Sequence, residues 1–179
     1  MKRARIKVAC AVAAVGVVGV GTVAMGSGRS DRETLSGYEE VPALSTPGVG
    51  DFRTSISRSR DEIRYELSFS DLESDVMQAH IHFENATNNG PIVVFLCTNL
   101  DNGPAGTQAC PTAGGTIRGT IRPADIGAGA AAQGLDAGEF DEFVQAIRAG
   151  ATYVNVHSVG RPGGEIRAQL EDGHDHGRD

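Results

Sequence analysis

The most regular pattern in the chain is a strict alternation at 62–70, where Ile63, Tyr65, Leu67 and Phe69 fall on one side and Glu62, Arg64, Glu66 and Ser68 on the other. A period of two sends successive side chains to opposite faces of a strand, so this segment predicts a half-buried antiparallel strand. The same period runs through 50–57, with Phe52, Thr54 and Ile56 on one face, and through 115–122 by way of Ile117, Gly119 and Ile121. Further strands are expected at 35–41, ending at Pro42, and at 76–83, 152–158 and 165–170, the last two joined by a glycine-rich turn over 159–164. After Pro91 the unbroken apolar run Ile92-Val93-Val94-Phe95-Leu96 suits a strand covered on both faces. One segment departs from the pattern. At 136–149, Phe140, Phe143, Val144 and Ile147 recur at helical spacing, with Asp136 as N-cap and Gly150 as stop. The preceding 127–134, rich in Gly and Ala, reads as a loop. Together these elements predict an all-β domain, an antiparallel Greek-key-like β-sandwich of seven or eight strands with one short helix.

Composition adds the ends and the compartment. The 179 residues, 40% of them hydrophobic, allow one domain of about 140 residues with a substantial core. Lys2, Arg3, Arg5 and Lys7 precede an apolar stretch at 8–25 and a polar run at 26–33, the layout of a secretory signal peptide over 1–26 with a linker over 27–34. Contact with a membrane is expected only through this segment if it stays uncleaved, because a glycine-containing apolar core of that length is marginal as a span. The expected location is secreted, periplasmic or in the cell envelope. Loss of the four leading cations makes the formal charge of −7 more negative by four, which disfavours nucleic acid as a partner. Cys10 would leave with the signal. Cys97 and Cys110 then form an even pair around a loop rich in Gly, Asn, Pro and Thr, and neither has a nearby His or Cys companion, which points to a disulfide rather than a metal site. The charged tail at 171–179, with His174 and His176, is expected to be disordered.

Three histidines carry the candidate chemistry. His80 and His82 stand two apart in a strand and face the same way, with Ile81 opposed, and His157 lies in Tyr153-Val154-Asn155-Val156-His157. Neutral imidazole suits copper or zinc, and three such nitrogens make a site with an open position. The alternative is a hydrogen-bonded polar patch in a β-domain. A metal site requires the nitrogens to converge to within about 3 to 4 Å of one another, and ordinary histidines would lose affinity below about pH 6.5. Asn155 shares the face of His157 and is placed to orient an imidazole. Glu165 and Arg167 also share a strand face and could pair. No Gly-rich phosphate loop, Ser/His/Asp arrangement or paired catalytic carboxylates stand out, which favours a non-catalytic module.

Four blocks carry a resemblance: Leu35-Ser36-Gly37-Tyr38-Glu39-Glu40-Val41-Pro42; Ala79-His80-Ile81-His82; Gly90-Pro91-Ile92-Val93-Val94-Phe95-Leu96; and Gly150 to Ser158 followed by Pro162-Gly163-Gly164-Glu165-Ile166-Arg167-Ala168-Gln169-Leu170. In this order they resemble the CHRD domain, a module of the developmental regulator chordin and of exported bacterial proteins, over 35–170. The resemblance implies an extracellular binding module, which in chordin belongs to an antagonist of growth factors. A weaker likeness runs to copper/zinc superoxide dismutase, a Greek-key sandwich. It would make His80, His82 and His157 copper ligands and Arg167 an anion-guiding arginine, although no histidine matches the bridging ligand. Three readings follow: a binding module with one copper or zinc ion, a copper-dependent redox enzyme, or a metal-free domain whose partner is an extracellular protein. If the signal is cleaved as read, Edman sequencing of exported protein should start between positions 25 and 30; a start at Met1 would contradict it.

Overall fold

A computed structural model of the chain describes residues 30–59 and 61–171. The expected signal peptide, the first part of the expected linker and the tail beyond 171, with His174 and His176, lie outside the described residues. Eight strands form one antiparallel sheet: β1 Ser30–Ser36, β2 Val49–Ile56, β3 Ile63–Ser70, β4 Val76–Phe83, β5 Ile92–Thr98, β6 Gly115–Ile121, β7 Thr152–Ser158 and β8 Arg161–Leu170. Among the described residues one α-helix, α1 at Phe140–Arg148, accompanies them. The order across the sheet is β5-β4-β7-β8-β1-β2-β3-β6, so β4 with β7, β8 with β1 and β3 with β6 join strands that are not consecutive in the chain. The sheet curls until its two halves face each other across one apolar core. Leu35, Phe52, Ile63, Leu67, Ile81, Leu96, Val154 and Ile166, drawn from both halves, belong to that single cluster.

The curl brings the end strands β5 and β6 together without pairing them fully, and side chains bridge the seam. Tyr65 Oη donates to the Leu96 carbonyl of β5 at 3.2 Å. Gln108 Nε2 donates to the same carbonyl at 3.1 Å and to Arg118 O of β6 at 3.2 Å, which ties the two unpaired edges to one amide. Gly119, opposite Tyr65 on β6, makes this possible, since a Cβ there would lie 2.5 Å from the phenol. Gln108 is held in reach by the loop it belongs to. The Cys97–Cys110 disulfide, with Cα atoms 5.1 Å apart, anchors that loop to β5, and the Asn99 side chain donates to Val76 O and Cys110 O while accepting from Cys110 N.

Four local expectations change. The first strand spans Ser30–Ser36 rather than 35–41, so residues 30–34 are strand rather than linker, and Gly37–Glu39 is a 3-10 turn. Only Leu35 among the described side chains of β1 is buried, so no alternation advertises it; it is held by its ladder to β2 from Ser30↔Ser55 to Ser36↔Val49. The helix starts at Phe140, not Asp136, because Gly138 at φ 84° turns the chain out of helical geometry and the Glu139 carboxylate accepts the Asp136 N–H instead. Ala128–Gln133, expected as loop, is a 3-10 helix whose Ala130 is buried. The 159–164 turn is reduced to Val159 and Gly160, with β8 pairing from Arg161 onward.

A disulfide across this span restricts the unfolded chain by about 3 kcal/mol. The Cys97→Ala/Cys110→Ala variant should therefore lose about that much unfolding free energy in urea; an unchanged midpoint would show that the loop does not depend on the bond.

Candidate metal centre

β7 lies between β4 and β8, and its register sets the site. Val154 and Val156 point into the apolar core, so Tyr153, Asn155 and His157 point to the opposite face. Cross-strand partners share that face. Asn155 lies opposite His80 of β4 and Arg167 of β8, and Tyr153 opposite His82 and Gln169. A polar layer thus crosses three strands on the outside of the barrel, yet His80, His82, Asn155, His157 and Arg167 are all buried.

Loops form its roof, and Arg167 pins them. Its guanidinium lies 3.4 Å from the centre of the Tyr153 ring and donates to Asn88 O at 3.1 Å, Asn85 O at 3.0 Å, Asn89 Oδ1 at 3.3 Å and Gln169 Oε1 at 3.4 Å. Asn89 Nδ2 in turn donates to Val41 O, which joins the 85–90 loop to the segment after β1. Arg167 is 1% exposed and both its terminal guanidinium nitrogens donate to these acceptors, a placement unlike the solvent-facing anion guide expected from the superoxide dismutase likeness. Nor does it pair with Glu165, whose carboxylate accepts from Thr46 Oγ1 at 2.7 Å, Glu73 N at 2.8 Å and Ser158 Oγ.

The structure brings the three histidines together. One ring nitrogen from each lies within 4.8 Å of the others. His80 Nδ1 and His157 Nε2 are 3.3 Å apart, inside the expected range of convergence, while 4.8 Å is wider than that range. The proton positions follow from the partners. Gly90 O, 2.8 Å from His82 Nδ1, and Pro162 O, 3.0 Å from His157 Nδ1, can only accept, so both Nδ1 atoms carry the hydrogen and both Nε2 atoms are lone pairs. His82 Nε2 and His80 Nε2 are buried without a hydrogen-bond partner. His157 Nε2 faces Asn155 Oδ1, another acceptor, at 3.0 Å. With His157 Nε2 a lone pair, His80 Nδ1 carries the proton in the 3.3 Å contact, so the lone pairs left without a partner are His80 Nε2 and His82 Nε2. One ring nitrogen from each of the three histidines lies close enough to the others to hold a cation.

Electrostatics keeps the imidazoles in the form that can ligate. Burial, with the neighbouring His157 and His82, pushes His80 down to about 2. Burial likewise takes His82 down to about 4 against the pull of the Gly90 carbonyl, and lowers His157 despite its bond to Pro162. His80 packs edge-on against Phe95 at 4.5 Å, and His82 stacks flat on Tyr153 at 4.7 Å, so both rings are fixed by aromatic neighbours.

Glu40 is a residue that sequence reasoning missed. It is 5% exposed, its Oε1 has no hydrogen-bond partner, and the Asn155 amide acts on its carboxylate. Burial pushes Glu40 up to about 7 although Arg167 and Asn155 pull the other way. Gly164, at φ 126°, leaves the room: a Cβ there would run into Glu40 Oε1 and come 2.9 Å from Asn155 Nδ2. The one signal for Glu40 in the sequence was its place in the 35–42 block of the resemblance.

Fold and site define a class: an antiparallel β-domain with a disulfide-anchored loop and a roofed layer of polar residues holding three adjacent histidines. Residues 32–170 match the CHRD domain, and the chain belongs to that family. The matched span contains Glu40, the three histidines, Asn155 and both cysteines. No curated protein and no solved structure gives a significant match. CHRD domains are extracellular-type modules, and the disulfide is consistent with secretion.

The lowered histidines make acid sensitivity a property of the metal-free fold. An imidazole whose folded value lies below its unfolded value of about 6.5 stabilises fully above that pH, and the contribution is lost as pH falls towards the folded value. For His80 and His82 the loss continues down to about 2 and about 4. Each should cost about 2 kcal/mol between pH 7 and pH 5. Urea unfolding across that range should show the decline, and a flat profile would mean that the rings accept protons in place.

Proposed function

We propose that this CHRD domain is an exported binding module that captures one copper or zinc ion at His80, His82 and His157 and has no catalysis of its own. The observation that carries the reading is the approach of ring nitrogens from three buried histidines, two of which each keep a nitrogen without a hydrogen-bond partner. Burying such atoms without a partner costs about 1–3 kcal/mol each, a cost that a bound cation removes. Three imidazoles leave an open position that a water or a group from an extracellular partner could fill. The 1–26 segment, the Cys97–Cys110 bond and the family support export. The copper redox reading has less behind it, since Arg167 is committed to the roof. The metal-free interaction reading leaves the approach of the three histidines and their two unpartnered nitrogens without a purpose.

Tag-free protein should bind Zn(II) or Cu(II) at one ion per chain in calorimetry and elemental analysis. His80→Ala and His157→Ala should each weaken binding by more than the roughly 10–100-fold that loss of an outer hydrogen-bond partner costs. His174→Ala, in the tail, should change it little. Because the folded imidazoles resist protonation, the fall in affinity should come at a lower pH than the 6.5 of an ordinary histidine. Absence of binding by the parent protein overturns the proposal.

A further inference from the structure

Glu40 and Glu165 are the carboxylates buried among the described residues, and they differ in one respect. Glu165 is engaged by Ser158, Thr46 and the Glu73 N–H. Glu40 keeps an oxygen without a partner. It lies in a cleft of about 320 Å³ lined also by Asn89, Pro162 and Gly164. Two of these neighbours connect it to the histidines: Pro162 O holds the His157 ring, and Gly164, by lacking a Cβ, leaves room for Glu40 beside the Asn155 amide, whose Oδ1 faces His157 Nε2. A divalent ion on three neutral imidazoles keeps its full charge, and the buried Arg167 adds another positive group to the same face. No histidine offsets either.

We propose that Glu40 is the charge-compensating residue of the metal centre: reaching the histidines through Asn155, it favours a divalent ion over a monovalent one. The inference rests on the metal reading above and assigns the site its selectivity. It predicts a ratio as well as a loss. At one distance a fixed charge acts on a doubly charged ion with twice the energy it exerts on a singly charged one. Removing the charge should therefore lower the logarithm of the Zn(II) affinity by about twice as much as that of the Cu(I) affinity. Damage to the shape of the site would lower both alike.

The test uses full-length parent, Glu40→Gln and His157→Ala proteins at pH 8, where the Glu40 carboxylate is mostly ionised, titrated with Zn(II) and, under reducing-agent-free anaerobic conditions, with Cu(I) against a chelator of known affinity. Glu40→Gln should bind Zn(II) about 10–100-fold more weakly, with a Cu(I) loss near the square root of that factor. Its metal-free form should unfold at the same temperature as the parent or higher, since a buried carboxylate with an unpartnered oxygen has been replaced by a neutral amide. Unchanged Zn(II) affinity in Glu40→Gln, with binding lost in His157→Ala, overturns the role of Glu40 and leaves the metal centre standing. Equal losses for the two ions also overturn it, because they point to altered shape. A parent that binds neither ion overturns both proposals.

Discussion

Covering β7 on both faces is the constraint from which the rest of the domain follows. All of Thr152 to Ser158 is buried, but only alternate residues are apolar. Val154 and Val156 join the core by ordinary hydrophobic burial. Tyr153, Asn155 and His157 would instead leave polar atoms stranded, and a buried polar group without a partner costs more than a hydrogen bond returns. The outer layer must therefore satisfy itself. Facing residues on β4 and β8 are polar for the same reason, and two loops fold over them to supply carbonyls.

Arg167 is the centre of that self-satisfaction. A guanidinium is always charged, so its burial demands several acceptors at once, and it finds them in the backbone of the 85–90 loop and the face of Tyr153. By gathering that loop it places the Gly90 carbonyl on His82 Nδ1, and thereby determines which nitrogen of His82 is free. The Pro162 carbonyl does the same for His157 from the start of β8. The histidine cluster is thus a product of the roof as much as of the strands. A layer that hydrogen-bonds almost everything else leaves two ring nitrogens and a Glu40 oxygen open, and that is what sets it apart from a satisfied polar patch.

The seam between β5 and β6 faces a different problem with a similar solution. A curled sheet of eight strands that does not fully close leaves two edges, and here one glutamine amide and one phenol span them. The disulfide matters because it keeps the loop carrying Gln108 against β5. Crosslinking and seam closure are one device.

Much of this could be read from residue order. Alternation at 62–70 and 50–57 placed strands because which face a side chain takes depends only on its parity. The same parity put His80 and His82 side by side and His157 with Asn155, and the two late cysteines declared their pairing. Helical spacing located α1 but overran its start, where the conformation of Gly138 decides the boundary. The polar strand β1 was invisible because its ladder partners, not its side chains, hold it in place. Glu40 and Arg167 were beyond reach for a deeper reason. Parity says that a residue points outward but not whether a loop will cover it, and that covering turns an ordinary surface glutamate into a buried charge and an arginine into the anchor of a roof. Only the closing of residues 37–44, 85–90 and 161–164 over the outer face of β4, β7 and β8 decided that, because burial is set by contacts between segments far apart in the chain.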